Sequence, residues 1–433
     1  MTFDGSLDCV RRAIELCDGF GKLKASDKVL IKPNNCFRHQ MTPPYGMVTT
    51  TRIIDTIVQL LLEYGCTDIS IGEGAIINIF NELAPYTAHG FKSSGVDVVA
   101  RKRGVKLIDF NKGPFRELDL GGTKAQVSNA PLETDFLINV PVLKTHFQTR
   151  VSLGFKNLKG CLSQDSKKRF HKSHRLDTLV CRLNEAIVSD LVIIDGIYMM
   201  EKGPETLAGI AHRKDLIIAS PDPFECDAVG ATILGADPSQ VAHLREYAER
   251  HDRSLDINSI EIKGEDLGSV SEQLEWQFEP GEELLAPSGV TGLSAPAPGQ
   301  TLCSACGATL ALTLSIMGKD NQRFDFGGAE LYYGLELAPE LDTPKVFLYG
   351  DCAVKRNRSL QNANRIEGCP PTLTSTIIIL ARALLSRPRM VKMLSLRAIK
   401  MAGIRLGVYR ETLPGWDRYR SKEFDRTHFW LRD

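Results

Sequence analysis

The chain has 433 residues, 43% hydrophobic and 24% charged, with 53 Lys and Arg balanced by 53 Asp and Glu. These values suit a globular protein of two or three domains and exclude collagen-like, coiled-coil and wholly disordered classes. The zero net charge also argues against a nucleic-acid-binding surface spread over the molecule, while leaving room for a local basic patch. Spanning a bilayer takes about 20 consecutive apolar residues, and runs such as Thr376–Leu380 fall far short of that. Asp4, Asp8, Arg11, Arg12 and Glu15 are the wrong residues for a secretory signal. The expected location is the cytoplasm. In that reducing compartment, the eleven cysteines are not expected to form a disulfide framework.

In chain order, residues 5–17 read as an amphipathic helix carrying Leu7, Val10, Ala13, Ile14 and Cys17 on one side. Asp27–Lys32 reads as a strand ended by Pro33. Thr50–Tyr64 reads as a helix with Ile53, Ile54, Ile57, Val58, Leu61 and Leu62 on its apolar side, and Gly65 follows its end. Further apolar runs at Thr67–Ile71, Val105–Ile108, Phe136–Val142, Leu191–Ile194 and Leu216–Ala219 alternate with helical stretches such as Cys226–Leu234. This pattern predicts an α/β core domain with a mostly parallel sheet over residues 1–278. A Pro- and Gly-rich stretch at 279–300 reads as a linker. A smaller α/β unit follows over 301–380, with helices at 305–317 and 370–385 and a strand at 345–349. The tail, 381–433, is basic, with 13 Lys and Arg against 5 Asp and Glu. Its Val391, Leu394, Leu396, Ile399, Ile404 and Leu406 suit either a terminal helix packed on the domain or one that meets a partner or membrane surface.

Four cysteines of the smaller unit form a dispersed set: Cys303-x-x-Cys306, Cys352 after a strand, and Cys369 before Pro370-Pro371. A CxxC puts two thiolates on one turn, close enough for one metal centre. The prolines predict Cys369 at a helix N-terminus, where the dipole favours thiolate. Such a set can close around a [4Fe–4S] cluster. Zinc is the alternative, and ordinary buried thiols are a third reading. The other seven cysteines read as buried thiols, except that Cys161 ends a basic motif.

That motif runs from Leu137 to Leu162. An apolar strand leads into Lys144-Thr145-His146, followed by Lys156-Asn157-Leu158-Lys159-Gly160. At a strand's C-terminal edge these residues suggest an anion-accepting pocket, the alternative being a solvated loop. Gly72-Glu73-Gly74 lacks the third glycine of a dinucleotide fingerprint, and there is no Walker A, Gly-x-Ser-x-Gly or His-Glu-x-x-His motif.

The motif resembles the central motif of the family called domain of unknown function 362 (DUF362). Val29–Asn34, Asp68–Gly74, Asp195–Pro204 and Asp222–Asp237 resemble further stretches of it in the same order, over about residues 25–245. The resemblance implies a pocket built from Lys32, Asn34, Lys144, His146, Lys156, Asn157, Lys159, Asp195 and Glu201, joined by His171. In that pocket Lys144, His146, His171 and Glu201 would be catalytic, and Lys32, Asn34, Lys156, Asn157, Lys159 and Asp195 would bind substrate. Asp195 and Glu201 also read as acid/base groups, a divalent-metal pair or turn caps, and His171-x-x-His174 as a conceivable metal pair. Many family members carry iron–sulfur ligands in a repeated CxxCxxC insert, which this chain lacks. Its Gly-Cys-Pro-Pro is similar to the ligand motif of the cluster-bearing small subunit of respiratory complex I.

The resulting expectation is an iron–sulfur redox enzyme or electron-transfer protein. It would act on an anionic small molecule or cofactor, with a possible redox protein partner and no nucleic acid. The alternative is a non-catalytic protein with structural zinc or a structural cluster. The redox reading requires Cys303, Cys306, Cys352 and Cys369 to converge on the side of the sheet that bears Lys144, His146 and Lys156.

Overall fold

The computed structural model describes residues 1–3, 8–35, 44–75, 86–172, 174–204, 209–286, 289–295, 302–320, 325–335, 338–392, 394–395 and 424. The tail beyond residue 395, including Trp416 and Trp430, therefore lies outside the described residues apart from Phe424.

In the first unit, α1 (Asp8–Leu16), β1 (Lys28–Pro33), α2 (Thr51–Tyr64) and β2 (Asp68–Glu73) follow the predicted order. Next come α3 (Tyr86–Ser94), α4 (Val96–Arg103) and β3 (Lys106–Asp109). A hairpin, β4 (Phe115–Asp119) with β5 (Lys124–Ser128), forms a separate two-stranded sheet. The chain re-enters the main sheet at β6 (Phe136–Val140) and, across Pro141, β7 (Val142–His146), then β8 (Arg150–Val151). It continues through α5 (Gly154–Asn157), α6 (Gln164–Lys172) and α7 (Leu176–Ala186). A long pair, β9 (Leu191–Glu201) and β10 (Ile210–Ser220), precedes α8 (Pro223–Ile233), α9 (Ala242–His251) and α10 (Leu267–Val270).

The sheet order is β3-β2-β1-β6-β9-β7-β8, with β10 beside β9. Pairs among β3, β2, β1, β6, β9 and β7 are parallel, whereas β10–β9 and β7–β8 are antiparallel. Both faces are covered, which explains the near-continuous apolar strands. Val29 and Ile31 face one core with Ile53, Ile57 and Val58 of α2, while Leu30 faces the other with Leu179, Leu183 and Leu244. The same alternation places Ile138 on the first face and Leu137 on the second. Gly65 ends α2 as predicted, at φ 104°, with its N–H on Leu61 and Leu62 carbonyls.

The second unit has its own parallel sheet, β11-β12-β13-β14. In chain order it comprises β11 (Thr291–Ser294), α11 (Ser304–Asp320), β12 (Asp325–Tyr333), β13 (Val346–Tyr349), α12 (Gly350–Arg356), β14 (Asn364–Ile366) and α13 (Leu373–Leu384). The stretch read as a linker contributes to this unit. It carries β11, and Leu285, Val290 and Leu293 are buried in the same core as Leu310, Leu314 and Leu380. Pro and Gly content alone does not distinguish a connector from a tight entry into a sheet.

The units are joined by Phe147, which follows β7 yet lies in the core of the second unit, its ring 5.7 Å from that of Phe278. Gly307 of α11 lies against it so closely that a Cβ would overlap the Phe147 ring. Helix propensity alone would reward Gly307→Ala by up to about 1 kcal/mol. Overpacking costs about 1–3 kcal/mol, so the net change should be destabilising, and larger for Gly307→Val. Urea unfolding checks this; midpoints equal to or above wild type would mean that Phe147 does not join the units here.

Candidate functional site

Two cavities adjoin where the units meet. The smaller, of about 140 Å³, is lined by Lys32, Asn34, Lys144, His146, Lys156, Asn157, Lys159 and His171, together with Glu73, Lys167 and Ser152. Ser304, Ala305 and Ala308 of α11 complete its wall. Lys144 and His146 lie at the C-terminal end of a strand, as expected, and not in a solvated loop. They stand two apart on β7, hence on one face, and both are buried.

The polar groups differ in what they can still do. The Lys32 ammonium has no exposure and donates to Glu73 Oε2 at 2.8 Å, the Pro33 carbonyl at 2.9 Å and Asn157 Oδ1 at 3.2 Å. Asn157 in turn donates to Asn139 Oδ1 at 2.8 Å. Lys32 and Asn157 are thus wall structure rather than ligand-binding groups. Lys144 donates to the Met47 carbonyl at 2.8 Å and approaches Asn34 Oδ1 at 3.4 Å.

His146 Nδ1 accepts from the backbone N–H groups of Gln148 at 3.0 Å and Thr149 at 3.2 Å. Its lone pair is therefore on Nδ1, and a neutral ring carries its proton on Nε2. That nitrogen is buried and has no hydrogen-bond partner among the described residues. Burial pushes the pKa of His146 well below the ordinary value, and Lys156, Lys159 and Lys144 push the same way. His146 is therefore a neutral donor. A buried donor left unsatisfied costs about 1–3 kcal/mol.

Lys167 was missed by sequence reasoning. It is buried on α6 and donates to the carbonyls of Gly74 and Ala75 and to Asn111. Burial pulls its pKa down to about 7, with Glu73 opposing. The available clue was helical spacing: Lys167, Phe170 and His171 form one buried face.

Asp195 and Glu201 lie outside the cavity. Asp195 accepts from the backbone of Thr50 at 2.6 Å and Ile197 at 3.1 Å, and burial raises its pKa to about 6. Glu201 pairs with His212 at 3.0 Å. Both are structural carboxylates. Cys161 is also structural, a core thiol that burial pushes up to about 12.

The larger cavity, of about 630 Å³, is lined by all four cysteines of the dispersed set, by His171 and His174, and by Lys172, Lys355 and Arg356. Cys303 and Cys306 lie at the start of α11, and Cys352 lies in α12 just beyond β13. Cys369 is not at a helix N-terminus: α13 starts at Leu373 and is capped by the Thr372 hydroxyl. The sulfurs sense one another. Cys303 is held well below the ordinary thiol value by hydrogen bonds from Cys306 and, burial opposing, His171. Cys306 is pushed well above it by Cys303 and by burial, with the charges of Cys369 and Cys352 adding. Among the described residues no three His, Cys, Asp or Glu side chains gather closely enough to hold one metal ion. His171 and His174 do not pair: Nε2 of His174 is 3.1 Å from Cys352 Sγ, whereas Nε2 of His171 is 2.6 Å from Lys159 Nζ.

Residues 29–232 match the model of a family described as Domain of unknown function (DUF362). The thylakoid-associated protein sll1697 of Synechocystis sp. (strain ATCC 27184 / PCC 6803 / Kazusa) is 27% identical over 241 residues, 54% of this chain and 72% of that protein. The lactate racemase apoprotein of Thermoanaerobacterium thermosaccharolyticum is 14% identical, with 87% of this chain and 78% of that chain covered. Its TM-score of 0.35 is too low to bear on fold or activity.

The state of His146 is measurable. A histidine depressed in the fold supplies stability that is present above its unfolded pKa of about 6.5 and lost as pH falls below it. Asp195 and Asp227, both raised to about 6, act in the opposite sense between about pH 4 and 6, so comparison with a variant is needed. In His146→Asn, Oδ1 can keep the Nδ1 role. Relative to this variant, wild-type unfolding should take up about a quarter of a proton more at pH 7, rising to nearly one at pH 5. Equal pH slopes would mean that the folded ring titrates as it does in the unfolded chain.

Proposed function

We propose that this chain is an iron–sulfur protein, a redox enzyme or electron-transfer protein acting on an anionic small molecule in the Lys/His cavity. The observation that carries the reading is the position of His171, which lines both cavities. Its Nε2 meets Lys159, and its Nδ1 lies 3.4 Å from Oγ of Ser304, the neighbour of Cys303. A redox centre on the cysteines would thus lie one side chain from the anion.

Cys303, Cys306, Cys352 and Cys369 would hold a [4Fe–4S] cluster, which supplies single-electron transfer when bound. The donor set is compatible with a cluster. Four irons with separate thiolates need one shared cavity, and all four cysteines line one. Lys144, Lys156 and Lys159 would attract the anion, and His146 would donate to it. Exposed Lys172, Lys355 and Arg356 on the rim would suit an acidic redox partner.

The cytoplasmic location belongs to this proposal and is supported by the ten described cysteines, all free thiols. None of the described helices is long and apolar enough to cross a membrane. The name of the cyanobacterial relative points to a membrane surface, for which the basic 381–433 segment has suitable charge. A non-catalytic protein with structural metal is the second reading, favoured by the internal use of Lys32 and Asn157.

Anaerobic purification should give a brown protein whose broad visible band is bleached by dithionite, with iron and sulfide but little zinc. Ser at Cys303, Cys306, Cys352 or Cys369 should each lower bound iron, whereas Ser at Cys66 or Cys181 should not. Unchanged iron in all four site variants would refute the assignment. Loss in only three would indicate an iron with an open position, favouring catalysis over electron relay.

A further inference from the structure

The cavity beside His146 has a property that the cysteines do not explain. One of its donors, Nε2 of His146, is buried and has no hydrogen-bond partner among the described residues. The backbone bonds at Nδ1 fix the ring, so it cannot turn that N–H elsewhere without losing both. Buried donors are normally satisfied, and a ligand atom is a natural partner for one carried by a residue that lines a cavity.

The wall around it is strongly positive. Among the described lining residues, Lys32 is paired with Glu73 and Lys167, its pKa pulled down to about 7, is only partly charged, which leaves Lys144, Lys156 and Lys159 as the main positive charges. A single negative charge would answer only part of that field. About 140 Å³ is well below the roughly 300–1,000 Å³ of pockets for larger ligands, so nucleotides and quinones are too large to enter whole. Ser304 and Ala305 of α11 form part of the wall, so an occupant would touch both units.

We propose that this cavity binds a compact oxyanion carrying two negative charges, a phosphoryl or dicarboxylate group, with His146 Nε2–H as its neutral donor. This deepens the function proposed above and rests on its assignment of the Lys/His cavity as the ligand site. One ligand oxygen accepts from His146, and the others lie against Lys156 and Lys159. The ligand holds α11 against β7 and should raise the thermal midpoint of the full chain.

The test titrates the full chain with inorganic phosphate and, separately, succinate, with sodium chloride keeping ionic strength constant. Calorimetry and thermal unfolding are the readouts. One site per chain and a raised midpoint are expected for at least one probe, and the probe that binds identifies the phosphoryl or dicarboxylate class. His146→Asn keeps an acceptor for Gln148 and Thr149 and removes Nε2. It should unfold near the wild-type midpoint without ligand and bind about tenfold more weakly or worse, the loss expected for one hydrogen bond to a charged group. Lys156→Gln, at a half-buried position, should show the same loss and serves if His146→Asn does not fold. No binding beyond chloride, or wild-type affinity in the variants, overturns the proposal. Repeating the titration on Cys303→Ser/Cys306→Ser separates the two claims. Anion binding without iron in any preparation refutes the redox reading alone, whereas iron without anion binding refutes this one alone.

Discussion

A lysine ammonium shut away from water must have its charge answered within the protein, and the site depends on how this is done for Lys32. Desolvating such a pair costs several kcal/mol per ion, which is recovered only if the remaining donors and acceptors are also satisfied. Here they are. Lys32 bonds to Glu73, to the Pro33 carbonyl and to Asn157, while Glu73 also accepts from the backbone of Asn35 and Gly74. One buried pair therefore ties the ends of β1 and β2 to α5. The parallel pairing that sets Lys28 opposite Asp68 brings the two strand ends level, which makes the pair possible.

The helical segment that bears Lys156 and Lys159, α5 and the 3-10 turn after it, is held in the same manner. Asp227 of α8 accepts from the backbone N–H groups of Gly154 at 2.7 Å and Phe155 at 2.8 Å. Asn139 of β6 donates to the Gly154 carbonyl at 2.9 Å and accepts from Asn157. Asp227 and Asn139 are fully buried, so an apolar substitution at either leaves a partner unsatisfied. The lysines project from a scaffold that is rigid for this reason, as precise binding requires.

The second unit closes the site rather than standing apart from it. Phe147 leaves the main sheet for the core of that unit, and Gln148 Oε1 accepts from the Ser304 backbone at 2.9 Å. Ser304 follows Cys303, so the contact that docks the units also brings the cysteines to the basic cavity. His171 fills the remaining gap, with Ser304 Oγ 3.4 Å from its Nδ1. Burial, with the charge of Lys159 adding and Cys303 opposing, holds this ring near a pKa of about 4. Both histidines at the junction are thus neutral, and the positive potential there comes from lysine.

The sequence by itself determined the α/β class, the parallel core and the small cysteine-bearing unit. Apolar periodicity records which faces are buried, and Ile53, Ile57 and Val58 or Val29 and Ile31 can be read that way. It also marked Lys144, His146, Lys156 and Lys159 and the four cysteines, because spacing and residue chemistry are local properties. Only the tertiary structure decided which polar groups meet. Glu73 is 41 residues from Lys32, and nothing local distinguishes it from the turn glutamate of an incomplete dinucleotide motif. Lys167 is decided the same way, since it is the docking of its helix that buries it together with Phe170. Asp195 and Glu201 have the chemistry of a site, yet one holds the start of α2 and the other pairs with His212. The physical reason is common to all of them. The role of a buried polar side chain is set by the partner that strand register and helix docking bring to it, and that partner is remote in sequence.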